Sequence, residues 1–342
     1  MFDYKNAEKI LEAEDVVVKF NLRGKTLTAI RGISMELYKG ESLAIVGESG
    51  SGKSVTTKAI LGILAKNGHI DSGTIMYQGQ DMAKYKEADF YKIRGKRISL
   101  VFQDPLSALN PIMKIGKQIT EALILSKAIE KSKAKARAIE LMEAVGIPNA
   151  AERYDAYPFQ FSGGMRQRIV IAIALASNPE ILICDEPTTA LDVTIQAQII
   201  ALMEELQEKL GMSIIIITHD LGVVADMADE IIVMYAGEIV ERGTARDIFY
   251  HQQHPYTWAL LQSVPRIDDE DKTILNTIEG NIPDMIYPPK GCSFCTRCPY
   301  AMKICEEEKP KVTHITDEHS VACWLMDPRA DRSGVPFGRT DA

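Results

Sequence analysis

The stretch Gly47-Glu48-Ser49-Gly50-Ser51-Gly52-Lys53-Ser54 matches the pattern G-x-x-x-x-G-K-S/T at every specified position. It follows a short apolar run, residues 42–46, that predicts a buried strand, and we expect a helix from Lys53 to about Leu64. Glycines let backbone N–H groups close around phosphate oxygens, and a helix N-terminus adds a favourable dipole. A strand, this loop and a helix in that order predict a phosphate-binding loop, whereas the alternative is a chance glycine-rich turn.

The loop also supplies side chains suited to nucleotide chemistry. Lys53 can reach the β- and γ-phosphates, and the Ser54 hydroxyl can ligate Mg²⁺. We therefore predict a site for ATP and Mg²⁺ whose loop contacts fall on these residues: Gly47, Ser49, Gly50, Gly52, Lys53, Ser54 and Val55.

Two further apolar strands end in polar residues. Ile181–Cys184 is followed by Asp185, which can hold Mg²⁺ through water, and by Glu186, which can polarise the attacking water. Ser213–Thr218 is followed by His219, where a neutral imidazole could hydrogen-bond the γ-phosphate. The alternatives are a solvated acidic strand end and a structural histidine. We expect Cys184 itself to be a small buried residue.

Strands and helices alternate along the first part of the chain, which predicts an α/β fold with a mostly parallel sheet. Residues 14–20 form another strand candidate, 128–145 and 196–210 are helix candidates, and 231–234 with 238–241 predict a hairpin around Gly237. Apolar periodicity fades after about residue 265, where prolines and cysteines appear. We place a domain boundary there.

Composition limits the function classes. The chain has 342 residues and a formal charge of -8, which disfavours a nucleic-acid-binding surface. No run approaches the roughly 18 apolar residues of a spanning helix, and the N-terminus lacks the apolar region of a secretory signal. We expect a soluble chain that reaches the membrane only through a partner.

The stretch Phe161-Ser162-Gly163-Gly164-Met165 resembles the signature motif of ABC ATPases, with Met165 where the motif usually ends in glutamine. The resemblance implies that Ser162, Gly163 and Gly164 close over the γ-phosphate held by a second cassette. A serine and two glycine N–H groups suit an anion physically.

Other family motifs follow in order. The resemblance implies that Gln103 lies near Mg²⁺ and the contact with the membrane domain. It also implies that Ala190 and Asp192 belong to the D-loop. The catalytic residues would be Glu186, His219 and Gln103. Phe20 would stack on adenine, unless it is simply a buried strand aromatic.

The implied fold is a P-loop NTPase ABC cassette. It comprises a RecA-like core, an antiparallel β subdomain and a helical subdomain at about 106–180. The cassette would span residues 1–265, and residues 266–342 would form a small cysteine-rich C-terminal extension with a metal site.

Four segments resemble the oligopeptide/dipeptide branch of this family: residues 104–111, 157–168, 254–261 and the cysteine tail. The resemblance implies an ATPase at the cytoplasmic face of the membrane that drives import of di- or oligopeptides. Its partners would be a second, related cassette, two transmembrane permeases and an extracellular solute-binding protein. Nickel or another small solute is the alternative cargo. A soluble ABC ATPase acting on nucleic acid or ribosomes, and a metal-sensing regulator, are alternatives of other classes.

The tail cysteines carry a separate hypothesis. The family pattern matches Cys292, Cys298, Cys305 and Cys323, whereas Cys295 completes a ferredoxin-like C-x-x-C-x-x-C run, so the ligand set stays open. A 4Fe–4S cluster is the favoured interpretation, with Zn²⁺, metal-free thiols or disulfides as alternatives. We expect such a metal to stabilise a short tail rather than to transfer electrons.

Overall fold

A computed structural model describes residues 2–127, 129–189, 191–263 and 278–338 of the chain. The strands in these ranges are β1 (Lys9–Leu22), β2 (Lys25–Tyr38), β3 (Ser42–Val46), β4 (Gly68–Tyr77), β5 (Gln80–Asp81), β6 (Ile98–Val101), β7 (Ile181–Asp185), β8 (Ser213–Thr218), β9 (Glu230–Tyr235), β10 (Glu238–Thr244), β11 (Thr313–His314) and β12 (Ser320–Val321).

The α-helices in the same ranges are α1 (Lys53–Ile60), α2 (Glu87–Ile93), α3 (Pro105–Ala108), α4 (Ile115–Leu125), α5 (Ala134–Ala144), α6 (Ala150–Arg153), α7 (Gly163–Leu175), α8 (Val193–Leu210), α9 (Ala245–Tyr250), α10 (Pro255–Gln262) and α11 (Lys303–Glu307). Short 3-10 turns occur at Met82–Lys84, Pro158–Gln160 and Trp324–Met326. None of these helices combines the length and the apolar character needed to cross a membrane.

The larger sheet has the strand order β11-β12-β10-β9-β3-β8-β7-β6. Neighbouring strands from β9 to β6 run parallel, whereas β10, β12 and β11 extend the sheet in antiparallel fashion. The prediction of a mostly parallel sheet is therefore confirmed, and so is the hairpin around Gly237, which joins β9 to β10.

Both faces of this sheet are covered, which explains its continuous apolar strands. In β8, Ile214 and Ile216 belong to the core that packs under the helices, whereas Ile215 and Ile217 belong to the core shared with β1 and β2. Alternation along each strand thus builds two apolar cores, one on each side of the sheet. Cys184 is fully buried in the first of them, as predicted.

The smaller sheet is antiparallel and has the order β2-β1-β4-β5. Its strand β1 covers and extends the predicted strand at 14–20. The sheet faces α1 across the second core, so the loop between β3 and α1 lies where the two sheets approach each other.

Three predicted helix bounds differ from the structure. Helix α1 ends at Ile60 rather than near Leu64, because Gly62 adopts a left-handed conformation with φ of +61°. Helix α5 begins at Ala134 rather than at residue 128, which lies outside the described residues. Helix α8 begins at Val193, three residues before the predicted start, and ends at Leu210, where Gly211 caps it as expected.

Residues from the C-terminal part of the chain join the larger sheet. Strand β12 pairs with β10 through Val321 and Ser320, and β11 pairs with β12. Behind this contact, His319 Nε2 lies 2.9 Å from Oε1 of the fully buried Glu241. The predicted domain boundary, between residues 265 and 266, lies outside the described residues. The described helices between residues 106 and 180 form a group without an intervening strand.

The buried pair generates a stability prediction. Replacing His319 by alanine leaves the Glu241 carboxylate buried with one partner fewer, so we expect a loss of about 2 kcal/mol in the free energy of unfolding. The substitution should lower the thermal midpoint by several degrees, measured by circular dichroism. His314→Ala, an exposed position in the neighbouring strand β11, is the matched control. Equal midpoints for the two variants would contradict the structural role of His319.

Candidate functional site

The loop between β3 and α1 depends on glycine at three positions. Gly47, Gly50 and Gly52 have φ values of 150°, 83° and 107°, a region that favours glycine. A Cβ atom at Gly47 would stand 2.2 Å from the backbone oxygen of Met234 in β9. Substitution there would therefore push the loop away from the sheet.

Lys53 begins α1 and lies almost fully buried at the base of the loop. Its Nζ donates hydrogen bonds to the backbone oxygens of Gly47 (2.6 Å) and Glu48 (2.9 Å). Burial lowers the pKa of Lys53, and the carboxylates of Glu186 and Asp185 act in the opposite direction. The ammonium group thus occupies a dry position facing two acids, where a phosphate could replace the carbonyl partners.

The next residue links the loop to strand β7. Ser54 Oγ donates a hydrogen bond of 2.7 Å to Asp185 Oδ1. A hydroxyl and a carboxylate at this separation are the oxygen ligands that Mg²⁺ takes in phosphate-binding sites.

Glu186 follows β7 with φ of 50°, a strained conformation for a residue with a side chain. Its Oε2 accepts hydrogen bonds from Gln103 Nε2 (2.7 Å) and Thr189 Oγ1 (3.0 Å). His219 Nδ1 lies 3.6 Å from Glu186 Oε1. Three segments that are far apart in sequence therefore meet at one carboxylate.

These groups border a single cleft with a volume of about 1300 Å³. Of the residues predicted from sequence, those that line it are Phe20, Ser49, Gly50, Gly52, Lys53, Ser54, Val55, Gln103, Glu186 and His219. Gly47 and Asp185 adjoin it through Lys53 and Ser54. The structure thus brings together predicted residues from five separate segments: β1, the loop that leads into α1, and the residues that follow β6, β7 and β8.

The remaining predicted residues lie elsewhere. Ser162 caps α7, with Gly163 and Gly164 as the first residues of that helix, and Asp192 precedes α8. They are not among the residues that line the cleft, and Ser162, Gly163 and Asp192 are exposed. Ala190, the first residue of the predicted D-loop, lies outside the described residues.

The sequence did not reveal that the C-terminal part of the chain borders the same cleft. Ile278, Ile282, Pro283, Asp284 and Met285 line it. The Met285 backbone oxygen accepts a hydrogen bond of 3.1 Å from Thr28 N in β2. No motif marks this segment, so only the tertiary structure shows its position.

The five tail cysteines gather around one enclosed space. Cys292, Cys295, Cys298, Cys305 and Cys323 line it together with His254, Phe294 and Trp324. All of them carry free thiols. Burial raises the pKa of Cys292 to about 12 and that of Cys298 to about 11, because a thiolate is poorly solvated there.

The thiols have the chemistry of zinc or iron–sulfur ligands. Within the described ranges, however, no group of three or more His, Cys, Asp or Glu side chains is arranged to hold a metal ion. The expected cluster therefore lacks support in the side-chain geometry. The expectation that His314 and His319 lie at the surface rather than ligate zinc is wrong for His319, which is buried against Glu241.

Two protein families match the chain. The family described as "ABC transporter" matches residues 30–189, and that described as "Oligopeptide/dipeptide transporter, C-terminal region" matches residues 240–305. The first match contains the loop and Glu186, and the second contains four of the five tail cysteines.

The chain also resembles solved cassettes. A dimeric ATP-binding cassette in a post-hydrolysis state, bound to ADP and phosphate, is 27% identical with a TM-score of 0.62. The likeness covers 69% of this chain and 99% of that cassette. This supports an ABC cassette fold of the P-loop NTPase type.

Curated relatives match over almost their full length. The oligopeptide transport ATP-binding protein OppD of Bacillus subtilis (strain 168) is 52% identical, covering 96% of this chain and 92% of the relative. The dipeptide transport ATP-binding protein DppD of Lactococcus lactis subsp. cremoris (strain MG1363) is 53% identical, covering 95% and 93%. The chain belongs to the family of ATP-binding subunits of oligopeptide and dipeptide ABC transporters.

Proposed function

We propose that this chain binds and hydrolyses ATP to drive import of di- or oligopeptides through separate transmembrane permeases. The observation that carries the proposal is the meeting of Lys53, Ser54, Gln103, Glu186 and His219 around one cleft. The peptide cargo is supported by the relatives, whose names describe oligopeptide and dipeptide transport.

Nucleotide binding is the first step. The triphosphate would lie against the backbone of the loop, and Lys53 would exchange its carbonyl partners for phosphate oxygens. The adenine would lie near Phe20, which borders the cleft from β1. Ser54, Asp185 and Gln103 would hold Mg²⁺, which neutralises charge that develops on the phosphates.

Hydrolysis requires a water molecule held in line with the γ-phosphate. Glu186 would accept a proton from this water, and its carboxylate is already oriented by Gln103 and Thr189. His219, close to the same carboxylate, would contact the γ-phosphate. Phosphoryl transfer depends mostly on positioning and charge neutralisation, so this small set suffices.

The site would be completed by a second cassette. Ser162, Gly163 and Gly164 form an exposed helix N-terminus, which favours an anion from another molecule. A dimeric arrangement is known for the solved cassette that this chain resembles. We propose that the second cassette is a related chain and that ATP binding closes the pair.

Contact with the membrane partners would occur beside Gln103. Large apolar side chains are exposed in this region: Phe102 is 48%, Leu106 62% and Ile112 85% exposed. Grouped exposed apolar residues indicate a protein–protein contact. We propose that two permeases bind here and place the chain peripherally at the cytoplasmic face of the membrane. A solute-binding protein on the other side would deliver the peptide.

The cysteine tail adds a second proposal. We propose that Cys292, Cys298, Cys305 and Cys323 hold a 4Fe–4S cluster, with Cys295 as an alternative ligand and Zn²⁺ as the alternative metal. The proposal is motivated by five thiols that line one enclosed space, although the described side chains are not arranged to hold a metal ion. The group would crosslink a tail that has only a small apolar core of its own, Leu325, Val335 and Phe337.

Lys53 tests the transport proposal. Lys53→Ala should weaken ATP binding by at least about tenfold, because the ammonium group that binds the phosphate oxygens is lost. In proteoliposomes holding the complete transporter, uptake of labelled peptide should fall in parallel. Lys58→Ala, an exposed position in the same helix, is the control. Unchanged peptide uptake in Lys53→Ala, or uptake of nickel in place of peptide by the parent, would contradict the proposal.

Glu186 tests the chemical step. Glu186→Gln keeps the shape of the side chain but removes its basicity, so turnover should fall by about 100-fold or more while ATP binding persists. Phosphate release by the assembled cassette pair measures turnover, and size-exclusion chromatography with ATP should show a persistent dimer. The exposed Glu208→Gln in α8 is the control. Parental turnover in Glu186→Gln would refute its assignment as the base.

Anaerobic purification tests the cysteine site. We expect brown protein that absorbs near about 400 nm and contains roughly four iron atoms per chain, as a 4Fe–4S cluster requires. Cys292→Ser should lose the colour, whereas Cys184→Ala, which alters the buried thiol in β7, should keep it. Iron-free protein would exclude the cluster, and stoichiometric zinc would favour the alternative metal.

A further inference from the structure

Glu48 places a carboxylate inside the phosphate-binding loop, next to the groups that would hold a highly charged anion. It borders the cleft and is 28% exposed. The position is unfavourable for binding a triphosphate, since two negative charges in a partly dry cleft repel each other. The structure therefore has to neutralise Glu48 or turn it away.

Arg297 from the cysteine tail neutralises the Glu48 carboxylate. Its Nη1 and Nη2 donate to the two carboxylate oxygens of Glu48 at 2.7 and 3.0 Å, the two-pronged geometry that guanidinium groups favour. The Arg297 side chain is only 3% exposed, so water screens this pair weakly.

The guanidinium is fixed by further contacts. Arg297 Nε and Nη2 donate to the backbone oxygens of Glu279 (3.0 Å) and Ile278 (2.9 Å). Nη1 also lies 3.3 Å from the Tyr235 hydroxyl. Because its donors are engaged, Arg297 cannot readily move toward the phosphates and acts instead on Glu48.

The backbone of Glu48 is held from the same side of the molecule. Its N–H donates a hydrogen bond of 2.8 Å to the hydroxyl of Tyr256 in α10. The Tyr256 ring packs against Tyr235 and against Phe294 of the cysteine tail. Both the main chain and the side chain of Glu48 are thus positioned by the region that follows β9.

We infer that Arg297 is a positioning residue for ATP: it neutralises Glu48 and holds that carboxylate away from the triphosphate. Nucleotide affinity therefore depends on the cysteine-bearing tail as well as on the loop. Arg297 lies between Cys295 and Cys298, so the folded state of the tail sets the position of the guanidinium. The inference rests on the proposed binding of ATP in this cleft.

The experiment measures the affinity of the full-length chain for the non-hydrolysable analogue AMP-PNP with Mg²⁺ by calorimetry. Arg297→Ala should raise Kd about tenfold, because an unpaired anion is left beside the phosphates. Glu48→Gln should change Kd by no more than about twofold, since that anion is neutralised in the parent. The double variant should recover most of the lost affinity, which general damage to the fold would not allow.

Two further variants sharpen the result. Arg297→Lys keeps the positive charge but loses the two-pronged guanidinium geometry, so it should raise Kd by about threefold. This variant tests the inference if Arg297→Ala does not fold. Arg329→Ala is the control, because Arg329 makes the same kind of pair with Asp327 in the tail without lining the cleft. In the assembled transporter, Arg297→Ala should raise KM for ATP and leave kcat nearly unchanged.

An unchanged Kd in both Arg297 variants would overturn the inference. Failure of Glu48→Gln to restore affinity in the Arg297→Ala background would overturn it as well. If the parent chain itself did not bind the nucleotide, the proposed function would fail instead, so the two failures are distinguishable.

Discussion

The close passage of the phosphate-binding loop between two sheets is the constraint on which the site depends. A Cβ atom at Gly47 would lie 2.2 Å from the Met234 carbonyl in β9, and one at Gly52 would lie 2.7 Å from the Ile30 side chain in β2. Glycine at both positions lets the loop pass through this gap, leaving its backbone along the cleft and Lys53 beneath it. The shape of the nucleotide site therefore depends directly on how closely the two sheets pack.

The remaining groups reach this loop because parallel strands end at one edge of the sheet. Strands β3, β7 and β8 are neighbours, and the loop, Glu186 and His219 follow them directly. Short strands with buried aliphatic residues on both faces fix these positions firmly, whereas the signature residues lie on an exposed helix N-terminus. A firmly held half-site and an exposed complementary surface would suit the proposed pair of cassettes, which closes and reopens around ATP.

The sequence predicted what local patterns encode. The loop, the short strands and the acidic residues at the end of β7 are contiguous motifs, so the element types and the shared edge of the sheet follow from composition and order. The sequence could not show that Arg297 pairs with Glu48, which is 249 residues away, or that strands β11 and β12 extend the larger sheet. Such contacts depend on tertiary packing. The cysteine spacing led us to expect a metal site, and the structure does bring the thiols together, but the described residues show no arrangement that would hold a metal ion.

The most direct measurement is an experimental structure of the full-length chain in its closed assembly with AMP-PNP and Mg²⁺. The account predicts the triphosphate against residues 47–54, with Mg²⁺ near Ser54 and Asp185, and a facing cassette contacting the γ-phosphate. It also predicts that residues 162–164 of this chain contact the nucleotide held by that facing cassette. A triphosphate located away from the loop, or a closed assembly in which residues 162–164 contact no nucleotide, would contradict it.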